Sequence, residues 1–255
     1  AAAVELVREA FGRGDVKQAK VVGHRSAPFT GDPWALASAI VGLPGARYGG
    51  SVGGTDWVVA SASPEQLVRV VGGRISTVPI KGTSPDPQAL RDSEKDRAEH
   101  VMIVDLERND LARVTRPGSV EVDHLYALSE WAGIWHAGSD VTGDLADGVT
   151  TVDVLRALLP GGSVTGAPKH AACGLLAQLE PVGRGPAMGA MGLVWPGGMD
   201  LGLTIRTIAA ADGVVHLWAG GGITWSSDPA QEVVEAHAKA TPVQRALDQV
   251  RPSTS

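Results

Sequence analysis

The chain has few of the features that mark several large classes of protein. Its 255 residues include one cysteine, Cys173, which excludes an internal disulfide and suits a reducing compartment such as the cytoplasm. No apolar run reaches the roughly 20 residues of a membrane-spanning helix, and no signal peptide opens the chain. Acids outnumber bases, and the net charge of −6 argues against nucleic acid as the main partner. We therefore expect a globular protein that acts neither on membranes nor on nucleic acid.

The remaining composition is ordinary, with 44% hydrophobic and 20% charged residues. No linker or repeat divides the chain, so we expect one domain over residues 1–255. Meandering strand patterns joined by long helices predict an α+β fold and not a doubly wound sheet. The predicted helices cover residues 4–11, 32–40, 88–114, 152–159, 168–180 and 228–250. The predicted strands cover residues 57–61, 67–71, 74–78, 189–195, 201–209 and 214–219, and a further apolar segment covers 19–23.

Two predicted helices each carry a pair of acids three residues apart. Asp96 and Glu99 form one pair, and Glu232 and Glu235 form the other. A spacing of three places both carboxylates of a pair on one helix face, where their repulsion favours a bound cation. Oxygen ligands without a Cys or His cluster indicate Mg²⁺ and not Zn²⁺. Solvated acidic faces also show this spacing, so the pairs alone leave both interpretations open.

Lys81 lies in the string VPIKGT at the end of a predicted strand, between Pro79 and Gly82. A lysine held there would be a nucleophile if burial or a nearby cation kept its amine neutral. The alternative is a loop lysine in water.

Two glycine clusters are candidates for anion binding. Residues 161–169 precede a helix, whose free N–H groups attract carboxylate or phosphate oxygens, but they lack the GxxxxGK[ST] order of a P-loop. Gly220–Gly222 follow a strand and would bring backbone N–H groups close to a ligand. Tight connections explain both clusters equally well. Arg206 lies inside a predicted strand, where it needs an anionic partner if it points inward and is a solvated surface residue if it points outward. His136 is either a core histidine or a catalyst.

These motifs, taken in order, resemble those of the chorismate-utilising enzymes, a family that includes anthranilate synthase, aminodeoxychorismate synthase, isochorismate synthase and salicylate synthase. The resemblance runs from Gly14 to about Leu247. The matching strings are SPE at 63–65, PIKGT at 79–83, DRAEHVMIVDLERNDL at 96–111, SVTGAPK at 163–169, IRT at 205–207, AGGGI at 219–223 and SDPAQEVVEAHAKA at 227–240. The resemblance implies two mixed or antiparallel sheets packed together with helices outside, without the family's usual N-terminal segment.

The resemblance also implies roles for individual residues. The direct Mg²⁺ ligands would be Glu99 and Glu235, with Asp96 and Glu232 behind them through water. The enolpyruvyl carboxylate of chorismate would contact Arg206, Gly220 and Gly222. Further substrate contacts would come from Gln18, Gly82, Thr83, Thr165 and Lys239. Glu65 would be the general acid, and His136 would lie beside the ring.

Two positions discriminate among members of the family: Gln18 is typical of members that add ammonia, and Lys81 is typical of the aminodeoxychorismate synthase branch. Gln18 stands where members that add water carry a lysine base, and PIKGT has the form in which Lys81 would attack the ring. The expected reaction converts chorismate and ammonia to 4-amino-4-deoxychorismate on the p-aminobenzoate and folate route. Ammonia would come from a separate glutamine amidotransferase subunit. The alternatives are anthranilate synthase component I and an inactive chorismate-domain binding protein, the latter because Ala187 replaces a tyrosine that would bind the enolpyruvyl carboxylate.

Overall fold

The structure, a computed structural model, describes residues 2–131, 134–225 and 227–250. Its helices are α1 Ala2–Gly12, α2 Pro33–Val41, α3 Pro87–Asp92, α4 Glu94–Ala112, α5 Thr151–Leu158, α6 Gly162–Thr165, α7 Lys169–Leu179 and α8 Pro229–Val250. Its strands are β1 Gln18–Pro28, β2 Gly50–Gly53, β3 Trp57–Ser61, β4 Gln66–Val71, β5 Arg74–Val78, β6 Ile80–Ser84, β7 Glu121–Trp131, β8 Ile134–Asp144, β9 Gly166–Ala167, β10 Ala190–Trp195, β11 Gly198–Leu203, β12 Thr207–Ala211 and β13 Val214–Ile223. Within these described ranges no helix is long and apolar enough to cross a membrane.

The chain forms two compact units. The first unit comprises Ala1–Pro64, Ser163–Gly189 and Thr204–Ser255, and the second comprises Glu65–Gly162 and Ala190–Leu203. Each unit contains one sheet, and the strand pairs are antiparallel. The predicted α+β class with two sheets is therefore confirmed. The expectation of one domain over residues 1–255 stays a prediction, because compactness does not measure independent folding.

The first unit is built on a sheet with the strand order β2-β3-β12-β13-β1-β9. Helices α2 and α8 pack against this sheet and against each other. Leu36 and Ile40 of α2, Ile208 of β12 and Val243 of α8 are fully buried in one apolar cluster. Helix α2 begins as predicted, because the Asp32 side chain accepts a hydrogen bond from the Trp34 N–H and Pro33 occupies the first turn.

Strands β1 and β13 approach each other closely at the glycine cluster of β13. Val22 pairs with Gly220 and Lys20 pairs with Gly222. A Cβ atom at Gly220 would lie 2.0 Å from the Val21 carbonyl oxygen, a distance that no other residue type could accept. The cluster thus contributes close strand packing and leaves the β1 side chains in contact with bare backbone.

The second unit contains a sheet with the order β10-β11-β4-β5-β8-β6, and β7 pairs with β8. Helix α4 packs on β6 and β8 through its buried face, which includes Ile103 and Leu111. Ser93 caps this helix by accepting a hydrogen bond from the Asp96 N–H at 3.1 Å. The cap fixes the start of α4 so that Asp96 lies in its first turn.

Two predicted elements are wrong in their continuity. The helix predicted over residues 88–114 is two helices, α3 and α4, because Ser93 adopts an extended conformation between them. The strand predicted over 201–209 is divided into β11 and β12, which belong to different sheets. Arg206 lies in the bend between these strands with a φ of 53°, so it is not inside a strand as predicted. Strand β1 was predicted only as an apolar segment over 19–23, and strands β2, β6, β7, β8 and β9 and helix α6 were not predicted.

Candidate active site

The predicted site residues are divided between the two units. The first unit contains Gln18, Thr165, Arg206, Gly220, Gly222, Glu232, Glu235 and Lys239. The second unit contains Glu65, Lys81, Gly82, Thr83, Asp96, Glu99 and His136. Each group is described within its own unit.

In the first unit, the acid pair of α8 faces the glycine cluster of β13. Glu232 is buried, and its Oε1 accepts a hydrogen bond from the Ser227 hydroxyl at 2.6 Å. Its Oε2 is also buried and has no hydrogen-bond partner among the described residues. A Cβ atom at Gly221 would lie 3.1 Å from Glu232 Oε2 and 3.9 Å from Glu235 Oε1. The missing side chain therefore leaves space beside two carboxylates, one of which has an unsatisfied oxygen.

Lys239 lies one turn beyond Glu235 and forms an ion pair with its Oε1. Both side chains are about half exposed, so this pair contributes little to stability. The contact confirms that the two residues share one helix face, as their spacing predicts.

A largely apolar cavity of about 280 Å³ adjoins Glu232 within the first unit. Residues of α1, β1, β13 and α8 line it, including Val4, Val21, Ile223 and Ala240. Gly221 and Glu232 also belong to its wall, so the buried carboxylate borders open space.

Gln18 begins β1 and pairs with Ala167, which brings it next to the predicted glycine-rich segment. The side chain is fully buried, and neither its amide nitrogen nor its amide oxygen has a partner among the described residues. A buried polar group left unpaired costs about 1–3 kcal/mol, so a ligand that hydrogen bonds to this amide would remove that cost. Neighbouring Lys17 is exposed, and Thr165 is buried at the end of α6.

Arg206 is partly buried, and this desolvation lowers the pKa of its guanidinium group. Its carbonyl oxygen accepts a hydrogen bond from the Ala62 N–H at 3.1 Å, which fixes the bend before β12. Within the described parts of the chain, the guanidinium group makes no ion pair with an acid. A desolvated cation without an acid favours a bound anion at this position.

In the second unit, Lys81 lies on β6 opposite Ala137, and its Nζ donates a hydrogen bond to the Ile80 carbonyl at 2.9 Å. Gly82 follows with a φ of 79°, and a Cβ atom there would lie 3.4 Å from Asp96 Cβ. The glycine thus lets α4 approach β6 closely and brings the first acid pair next to the lysine segment.

Thr83 and His136 are also neighbours in the second unit. They are register partners on β6 and β8, and Thr83 Oγ1 lies 3.3 Å from His136 Nδ1. His136 is buried while Thr83 is exposed, so the hydroxyl lies at the accessible end of this contact. Both alternatives for His136 remain compatible with this position.

Glu65, the predicted general acid, is buried at the start of the second unit, where its carbonyl oxygen accepts a hydrogen bond from Leu203 N–H. Glu65 lies in a cluster of acidic and basic side chains that was not predicted from the sequence. Glu107 belongs to this cluster: desolvation and then the charge of Glu65 raise its pKa to about 8, although a hydrogen bond from Thr77 at 2.8 Å and the charge of Lys81 oppose the rise.

His100 is a second missed residue. Its pKa is lowered to about 4, mainly by burial and then by the charge of Lys81. Its Nε2 lies 2.6 Å from Ser139 Oγ, while its buried Nδ1 has no partner among the described residues.

For Glu107 a sequence signal existed: it lies four residues from both Ile103 and Leu111, so an acid interrupts the apolar stripe of α4.

The predicted Mg²⁺ ligands form one pair in each unit, and both pairs have the expected helical spacing. Among the described residues of either unit, no group of three or more His, Cys, Asp or Glu side chains is placed to hold a metal ion. The metal site stays a prediction.

Comparison with known proteins identifies the family. A family profile described as chorismate binding enzyme matches residues 1–245. Anthranilate synthase component 1 of Streptomyces coelicolor is 40% identical over 95% of this chain and 51% of its own length. Aminodeoxychorismate synthase component 1 of Salmonella typhimurium is 38% identical over 92% of this chain and 54% of its own length.

The structural comparison agrees with this result. The crystal structure of anthranilate synthase component I from Streptococcus pneumoniae matches with a TM-score of 0.87 and 34% identity, over 96% of this chain and 57% of that one. The chain therefore spans about half the length of the relatives it matches. The match over 245 of 255 residues establishes that the chain belongs to the chorismate binding enzyme family.

Proposed function

We propose that this chain is an aminodeoxychorismate synthase component I, which converts chorismate and ammonia to 4-amino-4-deoxychorismate. The observation that carries the proposal is the position of Lys81 in an electrostatic cluster with Glu65 and Glu107, within the string PIKGT. Relatives named aminodeoxychorismate synthase component 1 at 38% and 36% identity support it.

In the proposed reaction the neutral amine of Lys81 attacks ring carbon 2, the double-bond electrons shift, and the carbon 4 hydroxyl leaves. Glu65 donates the proton with which this hydroxyl departs as water. Ammonia then attacks carbon 4, the electrons shift back, and the bond to Lys81 breaks with its electron pair on the lysine nitrogen. The new ammonium group returns a proton to the Glu65 carboxylate. Two easier displacements replace one difficult displacement, as in other covalent mechanisms.

The residues around Lys81 suit this sequence of protonation states. With its pKa raised to about 8, Glu107 is mostly protonated at neutral pH, so it adds little negative charge beside the lysine. With its pKa lowered to about 4, His100 is neutral at the same pH. Protonated Glu107 and neutral His100 therefore place no further full charge beside Lys81.

Mg²⁺ is part of the proposal, with Glu99 and Glu235 as direct ligands and Asp96 and Glu232 behind them. The proposal is supported by the chemistry of the donors, because carboxylate oxygens are ligands that Mg²⁺ prefers, and by Glu232 Oε2, which is buried without a partner among the described residues. When bound, the ion would neutralise the ring carboxylate of chorismate and fix its orientation.

Ammonia is proposed to come from a separate glutamine amidotransferase subunit, in keeping with the designation component 1 of the relatives. A second candidate function is anthranilate synthase component I, because relatives with that name are 40% and 39% identical. A third is chorismate binding without turnover, because buried Ala187 provides no hydroxyl for the substrate.

Product analysis distinguishes these functions. The purified chain is incubated with chorismate, Mg²⁺ and an ammonium salt, and the products are separated and identified by mass spectrometry. The proposal expects 4-amino-4-deoxychorismate, and omission of ammonium should abolish it. Anthranilate as the product would favour the second candidate, and chorismate recovered unchanged from folded protein would favour the third.

A further inference from the structure

Lys20 lies along the glycine cluster of β13. It is the register partner of Gly222, and a Cβ atom on Gly222 would lie 2.0 Å from Lys20 Nζ, 2.8 Å from Cε and 2.9 Å from Cδ. The lysine therefore occupies the space that any side chain at position 222 would need. It is only partly exposed, so its ammonium group is held close to the strand and not extended into solvent.

The polar group nearest to Lys20 along β1 is a buried amide without partners. Gln18 precedes Lys20 by two residues, so both side chains leave the strand on the same face. Both amide atoms of Gln18 are buried and unpartnered among the described residues. An amide in this state is stabilised by a ligand that offers both hydrogen-bond acceptors and donors.

Positive charge lies on both sides of Gly220–Gly222. Strand β13 is hydrogen bonded to β1, which carries Lys20, and to β12, which begins directly after Arg206. The Arg206 guanidinium group is desolvated, and it has no acidic partner within the described ranges. Gly221 faces the Glu232 and Glu235 carboxylates. Successive residues of a strand point to opposite faces, so Gly220 and Gly222 face away from these two acids. A negatively charged group of a ligand would therefore be favoured beside Lys20 on the face of Gly222.

At its next position, the face of β1 that carries Lys20 packs against a residue without a hydroxyl group, Ala187. Val22 follows Lys20 by two residues and packs against buried Ala187 and Trp218. The Ala187 side chain offers no hydrogen bond, although the resemblance of the sequence implies a tyrosine there that would bind the enolpyruvyl carboxylate. Lys20 is the neighbouring residue whose side chain can donate to that carboxylate.

We propose that Lys20 is a substrate-binding residue, whose ammonium group binds the enolpyruvyl carboxylate of chorismate beside Gly222 and replaces the missing tyrosine hydroxyl. This inference rests on the proposed function for the identity of the ligand. It assigns to the chain a determinant of substrate affinity on β1 that belongs to neither the metal pairs nor the Lys81 cluster.

The test compares Lys20→Met with Lys17→Met, which removes an exposed lysine three residues earlier. Chorismate binding is measured by titration calorimetry without ammonia, and steady-state kinetics are measured with ammonium present. Lys20→Met should weaken chorismate binding and raise KM by about tenfold or more, the effect of losing one charged hydrogen bond, while kcat changes less than about twofold. Lys17→Met should leave both quantities unchanged, and Lys20→Arg should retain most of the affinity because it keeps the charge.

The outcomes separate this inference from the proposed activity. If the wild-type chain turns chorismate over and Lys20→Met equals Lys17→Met, the assignment of Lys20 is wrong and the activity stands. If the wild-type chain binds chorismate without turnover and Lys20→Met weakens that binding, the assignment stands and the activity is wrong. Absence of chorismate binding to the folded wild-type chain overturns both.

Discussion

Replacing Glu107 by glutamine should change how the stability of the protein depends on pH. The pKa of this carboxyl is raised from 4.5 to about 8, with desolvation as the largest cause. Between these values the unfolded chain has released the proton and the folded chain still holds it. Folding stability contributed by this group therefore falls as pH rises from 4.5 to 8 and is constant outside that window.

The magnitude follows from the size of the pKa change. One pKa unit corresponds to about 1.36 kcal/mol, so the complete change sets an upper limit of ~5 kcal/mol. Relaxation around a carboxylate that borders a small cavity reduces this cost, and we expect ~1–3 kcal/mol. Glutamine cannot ionise, so Glu107→Gln should gain this amount relative to the wild-type chain between pH 5 and about pH 8–9.

The assay is urea unfolding of both proteins at pH values from 5 to 9. Asp105→Asn is the matched control, because Asp105 lies on the same helix with its side chain 78% exposed. The control should follow the wild-type curve. If the difference between Glu107→Gln and the wild-type chain is the same at every pH, the carboxyl does not titrate in this window and the reasoning about the Lys81 cluster is refuted.

Three further substitutions test the proposed site. Lys81→Ala should reduce the rate of amination by at least about 100-fold while chorismate binding is retained, whereas Lys95→Ala, on the exposed surface of α4, should be active. Equal amination rates in the Lys81→Ala and wild-type chains would remove the covalent route. Glu235→Gln should weaken Mg²⁺ binding by about tenfold or more in calorimetry, unlike Asp248→Asn further along α8, and unchanged affinity would exclude Glu235 as a ligand. Arg206→Met should weaken chorismate binding by about tenfold or more without loss of unfolding free energy, because the guanidinium group has no acid partner among the described residues; lower stability with unchanged binding would indicate a structural arginine.

The sequence predicted best the features that depend on a few neighbouring residues. Asp32 and Pro33 start α2, and Gly72-Gly73 turns β4 into β5 with the positive φ values that such a hairpin requires. Both acid pairs lie on helices as predicted, and a spacing of three residues places the two acids of each pair on one helix face.

The failures have a different physical origin. Ser93 interrupts a long charged segment by acting as a cap, and no change in the surrounding composition indicates this interruption. The bend at Arg206 sends consecutive strands into different sheets, so an apparently continuous strand pattern was divided. Local periodicity does not report which sheet a strand joins.

The missed site residues depend on contacts between distant segments. Lys20 becomes informative only when β1 is paired with Gly222, and Glu107 only when α4 is packed near Glu65 and Thr77. Of these, Glu107 alone left a local sign, as an acid within an apolar helical stripe.

The central claim is that the Lys81 amine forms a covalent bond to the substrate ring. Intact-protein mass spectrometry after incubation with chorismate and Mg²⁺, without ammonia, tests it most directly. We expect an added mass equal to chorismate less one water, located on the peptide that contains Lys81 and absent from Lys81→Ala. Turnover to 4-amino-4-deoxychorismate by the Lys81→Ala chain, at the wild-type rate and without any adduct in either protein, would contradict it.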